Sequence, residues 1–100
     1  MKQFSAEDYL ETPKDIVQYL ESVIEDYSDV SEIVAALRIV VRSRGFTQIA
    51  REGNVNRENL YTALARNGNP TLRTVAAVLK PLGIRLAFQV DSKGAGSAAV

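Results

Sequence analysis

Between Phe46 and Ala65 the chain reads FTQIAREGNVNRENLYTALA, and within it Arg57, Glu58, Tyr61 and Thr62 recur at the spacing of one helical face. These side chains suit the edges of base pairs. Arg57 can bridge guanine O6 and N7, Glu58 can accept from a cytosine amino group, and Thr62 or Tyr61 can meet a thymine methyl or a phosphate. Leu60, Ala63 and Leu64 fall on the opposite side, so the same segment also has a face to bury. Asn56 is placed to cap its start, and both Asn56 and Asn59 serve as caps as readily as contacts.

A preceding segment must hold that face in place. Thr47 is expected to cap a short helix with Ile49 and Ala50 inward, and Gly53 and Asn54 are the residue types that best tolerate a left-handed turn. Two helices so joined cross steeply, in the geometry of a helix-turn-helix spanning about residues 47–65. In that geometry the second helix enters the DNA major groove by its N-terminal end while the first lies across the backbone. Arg51 and Gln48 on the first helix, Arg66 and Asn67 in the following loop, and Arg73 beyond it are the candidate phosphate contacts. Backbone amides near Thr71, at another helix start, add an anion site. Any one of these arginines taken alone also fits a solvated surface residue.

Other chemistry is poorly provided for. The chain has no histidine and no cysteine, which removes the commonest general base, the commonest metal ligand and any disulfide. Its twelve acids sit mostly on helical segments without a clustered ligand pattern, so neither a metal, a cofactor nor an enzyme is expected. No apolar run approaches the roughly 20 residues of a membrane span. The start, MKQFSAEDYLETP, lacks the basic-then-apolar order of a signal peptide, and a cytoplasmic location is expected.

The positioning elements follow from periodicity. One hundred residues with 46% apolar content suit one small domain, here residues 1–90, and SKGAGSAAV near the end reads as a disordered tail within 91–100. Ile16, Tyr19, Leu20, Val23, Ile24 and Tyr27 fall at helical spacing after Thr12-Pro13. A second helix is expected from Ser31, as its N-cap, through Val34, Leu37, Val40 and Val41 to Gly45 in a left-handed conformation. After the turn RNGNP, Thr71 caps a helix whose Leu72, Val75, Leu79 and Leu82 share a face until Gly83. The stretch IRLAFQV then alternates, placing Ile84, Leu86, Phe88 and Val90 on one side of a strand. A lone strand leaves backbone groups unpaired, so its simplest partner is its own copy in a homodimer. The same stretch also fits an extended tail lying on the helices. The expected fold is all-α, a bundle of about five helices with one short C-terminal β-strand.

Zero net charge conceals a division along the chain. Residues 1–35 carry Glu7, Asp8, Glu11, Asp15, Glu21, Glu25, Asp26, Asp29 and Glu32 against Lys2 and Lys14. Residues 36–90 carry Arg38, Arg42, Arg44, Arg51, Arg57, Arg66, Arg73, Lys80 and Arg85 against Glu52 and Glu58. Arginine dominates the basic part, and its planar fork matches phosphate and guanine edges.

The runs TQIARE, NRENLYTAL, GNP and TLRTVAAVLKPLGIRL, with SAEDYLETPKDIVQYLESVIED upstream, resemble the addiction-module antidote proteins. These are relatives of the HigA-type antitoxins with a lambda-repressor-like helix-turn-helix, and the resemblance covers about residues 4–88. It implies a type II antitoxin that binds a small basic toxin, RelE-like or HigB-like, and, as a dimer, the double-stranded operator DNA of its own operon. Where that family usually has glycine this chain has Asn54, with the glycine moved to Gly53. The acidic N-terminal third would then face the toxin and the basic remainder the DNA, so removing residues 1–28 is expected to abolish neutralisation and spare DNA binding. A phage-type transcriptional regulator without a toxin is the alternative, and a small reading frame beside the gene would distinguish the two.

Overall fold

The computed structural model describes residues 10–26 and 29–90, and all the regular structure there is helical. Five α-helices follow one another: α1 (Pro13–Asp26), α2 (Val30–Arg44), α3 (Phe46–Glu52), α4 (Arg57–Ala63) and α5 (Leu72–Leu79), with a 3-10 turn at Lys80–Leu82. Their shared core is Leu10, Ile16, Val34, Leu37, Val40, Val41, Ile49, Ala50, Leu60, Leu64, Val78, Leu79 and Leu82.

Each helix starts and stops for a local reason. At the head of α1, Thr12 N–H donates to Asp15 Oδ2 and Asp15 N–H to Thr12 Oγ1, both at 3.1 Å, a reciprocal cap that satisfies two orphan donors. Pro13 occupies the first helical position, where its missing N–H costs nothing. The helix packs chiefly on α2, burying Ile16 completely and Tyr19 and Leu20 in part. Helix α2 begins earlier than the Ser31 cap expected from sequence. Asp29 caps it instead, its Oδ1 accepting from Ser31 N–H at 3.0 Å, so Ser31 lies inside the first turn. Gly45 ends α2 with its N–H on Val41 O at 2.7 Å, but at φ 105° and ψ 125° rather than in the left-handed helical region. That extended positive-φ geometry lets one glycine close α2 and start α3 directly, which leaves Thr47 within α3 and not its cap.

The α3–α4 turn shows why Gly53 and Asn54 stand in that order. Val55 N–H donates to Ala50 O at 2.9 Å and Asn54 N–H to Arg51 O at 3.3 Å, the paired bonds of a Schellman ending. Asn54 takes the left-handed position at φ 57°. Gly53 stays right-handed, and what it provides is room: a Cβ there would lie 2.5 Å from Ala77 O on α5. Sequence treated both residues as providers of a left-handed turn; one provides it and the other a close helix-helix approach.

Two expectations for the C-terminal part are corrected. Leu72 is 75% exposed, and the inward face of α5 consists of Val78 and Leu79 with Val75 partly covered and Leu82 following. Leu72 sits at the first helical position after the Thr71 cap, beyond the reach of the core. Residues 84–90 form no strand, and no strand occurs among the described residues. The alternation is present without a partner for it: Leu86, Phe88 and Val90 are 49, 99 and 84% exposed. An isolated extended segment has no ladder to join. The tail at 91–100, together with Glu7, Asp8 and Tyr27, lies outside the described residues.

Candidate nucleic-acid interface

Helix α4 is divided cleanly by burial. Leu60 and Leu64 are in the core, while Arg57, Glu58, Tyr61 and Thr62 are exposed and together line a shallow depression of about 430 Å³. Asn56 caps the helix as expected, its Oδ1 accepting from Asn59 N–H at 3.0 Å. The cap directs the N-terminal end of α4, and Arg57 and Glu58 with it, toward solvent.

Arg57 is not loose on that surface. Its Nε donates to Thr47 Oγ1 at 2.9 Å, so the first turn of α3 steadies the guanidinium at the first position of α4. The role of Thr47 is therefore this bond instead of a cap, and the two outer nitrogens of Arg57 lie beyond it. Tyr61 leans on Phe46, with ring centroids 5.0 Å apart and planes at 48°, which ties the middle of α4 to the start of α3. At 57% exposure Tyr61 still presents much of its surface outward.

At the other end of α4, Arg38 Nη1 donates to Leu64 O at 2.9 Å. A cation on the last carbonyls satisfies an orphan acceptor and complements the helix dipole. Sequence reading placed no role on Arg38. The available signal was the spacing of Arg38, Arg42 and Phe46 at successive fourth positions, which puts them on one side of α2 and just beyond it.

The remaining candidates are spread around this core of the site. Gln48 is exposed near the start of α3, and its amide reaches Glu52 Oε2 only at 3.5 Å. Arg51 is in the last turn of α3, Arg66 and Asn67 are exposed in the turn after α4, and Arg73 is exposed in the first turn of α5. Thr71 caps α5 through Thr74 N–H, at 3.1 Å, so its hydroxyl already has a backbone partner. The structure thus gathers Arg57, Glu58, Tyr61 and Thr62 into one surface, with Thr47 bonded to it; Gln48, Arg51, Asn67, Thr71 and Arg73 lie outside its lining.

No group of three or more Asp and Glu able to hold a metal occurs among the described residues, and no helix there is long and apolar enough to cross a membrane. Burial pushes the pKa of Tyr19 on α1 above its ordinary value.

The sequence profile of a family described as "Probable addiction module antidote protein" matches residues 1–90. A protein of Haemophilus influenzae described as "Uncharacterized protein" is 36% identical over 91 residues, covering 91% of each chain. No solved structure matches the chain significantly.

Proposed function

The chain belongs to the family of probable addiction module antidote proteins, and from that premise we propose that it is the DNA-binding antitoxin of a type II toxin-antitoxin pair. It neutralises a small basic toxin of the RelE-like or HigB-like kind and, as a cytoplasmic homodimer, represses its own operon. It acts by binding alone, without catalysis, cofactor or metal.

The observation that carries the reading is the division of α4. A seven-residue helix with Leu60 and its C-cap Leu64 in the core presents Arg57, Glu58, Asn59, Tyr61 and Thr62 outward, on a turn held by backbone bonds. A lambda-repressor-like helix-turn-helix uses its second helix in this way, entering the major groove by its N-terminal residues. Arg57 reads a guanine edge, while Arg51, Arg66, Asn67 and Arg73, with Gln48 and the amides near Thr71, meet the backbone. The bond from Thr47 reduces the ordering that Arg57 must undergo on binding. The exposed segment 84–90 and α5 are the surfaces available for pairing two copies, and a symmetric pair would set the two α4 helices about 34 Å apart.

The acidic surface of α1 and its neighbours, with Glu11, Glu21, Glu25 and Glu32 exposed, suits a basic partner. Its charge would orient and speed the encounter, and apolar contacts would supply much of the affinity. One part of the earlier expectation changes. Leu10 and Ile16 are core residues, so removing residues 1–28 would unfold the domain and would not spare DNA binding.

The test is to express the product of the adjacent small reading frame with and without this chain. Growth arrest by the neighbour, relieved by this chain and accompanied by co-purification of the two, is the expected result. A neighbour without effect on growth or without affinity for this chain would leave a free-standing regulator.

A further inference from the structure

The extended segment 84–90 runs beside α1, and between them lies a groove of about 200 Å³. Val17, Leu20 and Ile24 of α1 line it together with Leu79 and Leu86. Its charged members are Glu21 and Arg85, one of each sign, so the groove meets a copy of this chain without like-charge repulsion.

The segment is anchored at one end only. Ile84 packs against the core and its N–H donates to Leu79 O at 3.1 Å, while Leu86 is half-exposed. From Arg85 to Val90 no backbone group bonds to another described residue, and Phe88 and Val90 stand in solvent. The segment thus presents an open hydrogen-bonding edge together with an apolar row of period two.

The order of residues in that row identifies what covers it. Two copies laid antiparallel about a two-fold axis at Ala87 set Ile84 beside Val90 and Leu86 beside Phe88, so every apolar residue of the row meets another. A register displaced by two residues would leave Ile84 or Val90 of each copy unmatched. In the Ala87 register the exposed end of one copy lies beside the anchored end of the other, which brings Phe88 next to Leu86 at the groove on α1. Phe88 alone offers on the order of 200 Å². Leu86, Val90 and Ile24 with the paired backbone take each copy toward the roughly 500 Å² per partner, about 1,000 Å² in all, that a specific interface needs.

We propose that the groove on α1 receives Phe88 of a second copy, the two segments 84–90 pairing antiparallel about Ala87. The proposal rests on the homodimer reading and not on DNA binding. A dimer joined elsewhere would overturn it alone, whereas a monomer would overturn both.

The chain has no cysteine, so a single introduced thiol reports the register. Opposite residues of an antiparallel pair have Cα atoms about 4.5 to 5.5 Å apart, within disulfide reach. Gln89 and its symmetry copy would be offset by four residues, about 13 Å, and out of reach. The full chain carrying Ala87→Cys should therefore oxidise to a covalent dimer, and Gln89→Cys should not. In sedimentation, Phe88→Ala and Ile24→Gln should each raise the dimer dissociation constant about tenfold or more. Both residues are exposed, so the variants should keep their helical content in circular dichroism. Equal cross-linking at the two positions, a dimer indifferent to either substitution, or a wild type that stays monomeric would overturn the proposal. A monomer that buries Phe88 only against the product of the neighbouring gene would likewise overturn it, giving the segment to another protein.

Discussion

Gly53 is confined by its neighbour on α5 more than by its own torsion angles, since a Cβ would meet Ala77 O at 2.5 Å while the backbone there is right-handed. Gly53→Ala should therefore lower stability by about 1 to 3 kcal/mol through overpacking. Asn54→Gly should be neutral or stabilising, because it removes the cost of a side chain at φ 57°. Thermal unfolding of the two variants checks both signs; a neutral Gly53→Ala would mean that α3 and α5 can separate without penalty. Tyr19 gives a prediction of a different kind. Burial raises its pKa above the ordinary 10.0, so between the unfolded and folded values the native state holds a proton that the unfolded state has lost. Stability is thus unaffected below about pH 10 and falls as pH rises through the folded value. Tyr19→Phe should flatten that alkaline loss in chemical denaturation series, and an unchanged alkaline slope would assign it to other groups. The residue scale was partly legible in the sequence: Asn56 and Thr71 declare themselves as caps by type and place. The separate duties of Gly53 and Asn54 were not, because one of them depends on an atom 24 residues away in the chain.

Short helices such as α3 and α4, seven residues each, cannot hold themselves together and depend on what clamps them. Three clamps act on α4: Leu60 and Leu64 in the core, the Thr47–Arg57 bond at its start, and Arg38 on Leu64 O at its end. Thr47→Val keeps the shape of the side chain while removing the acceptor. It should weaken operator binding less than Arg57→Ala, which is expected to cost about 1 to 3 kcal/mol and relax preference at one base pair. A uniform loss across duplex sequences in Arg57→Ala would move that residue to the backbone contacts. Periodicity revealed these elements because apolar residues must face the core wherever a helix is amphipathic. At residues 84–90 it shows an alternation that is real, but a strand also requires a partner that the described chain does not contain, and none forms there. If that segment pairs two copies, Phe88→Ser and Leu86→Ser together should shift the protein toward monomer in analytical ultracentrifugation without lowering helical content. Dimerisation indifferent to both changes would direct attention to α5.

Across the whole molecule, charge and packing assign overlapping duties to α1. It supplies Ile16 to the core and exposes Glu21 and Glu25 on its outer side. Truncation would confound the two duties, whereas reversing the exposed charges separates them. Glu21→Lys with Glu25→Lys should slow association with a basic toxin about tenfold or more at low salt, with little change in unfolding temperature or in DNA affinity. An unchanged association rate would leave α1 with its packing duty alone. The helical class and the position of the α3–α4 unit could be read from the chain because they rest on local patterns. The bridging arginine Arg38 and the aromatic contact of Phe46 with Tyr61 could not, since they arise only when α2, α3 and α4 are packed together.

The central claim is that α4 presents a surface that reads DNA, and a fluorescence anisotropy titration tests it most directly. The protein is titrated into the duplex upstream of its own gene and into a scrambled duplex of the same composition, each at two salt concentrations. The account predicts tighter binding to the native duplex, weakening with salt as phosphate contacts release counterions, with the preference reduced in Arg57→Ala. Equal affinity for the two duplexes, or binding insensitive to salt and to Arg57, would contradict it.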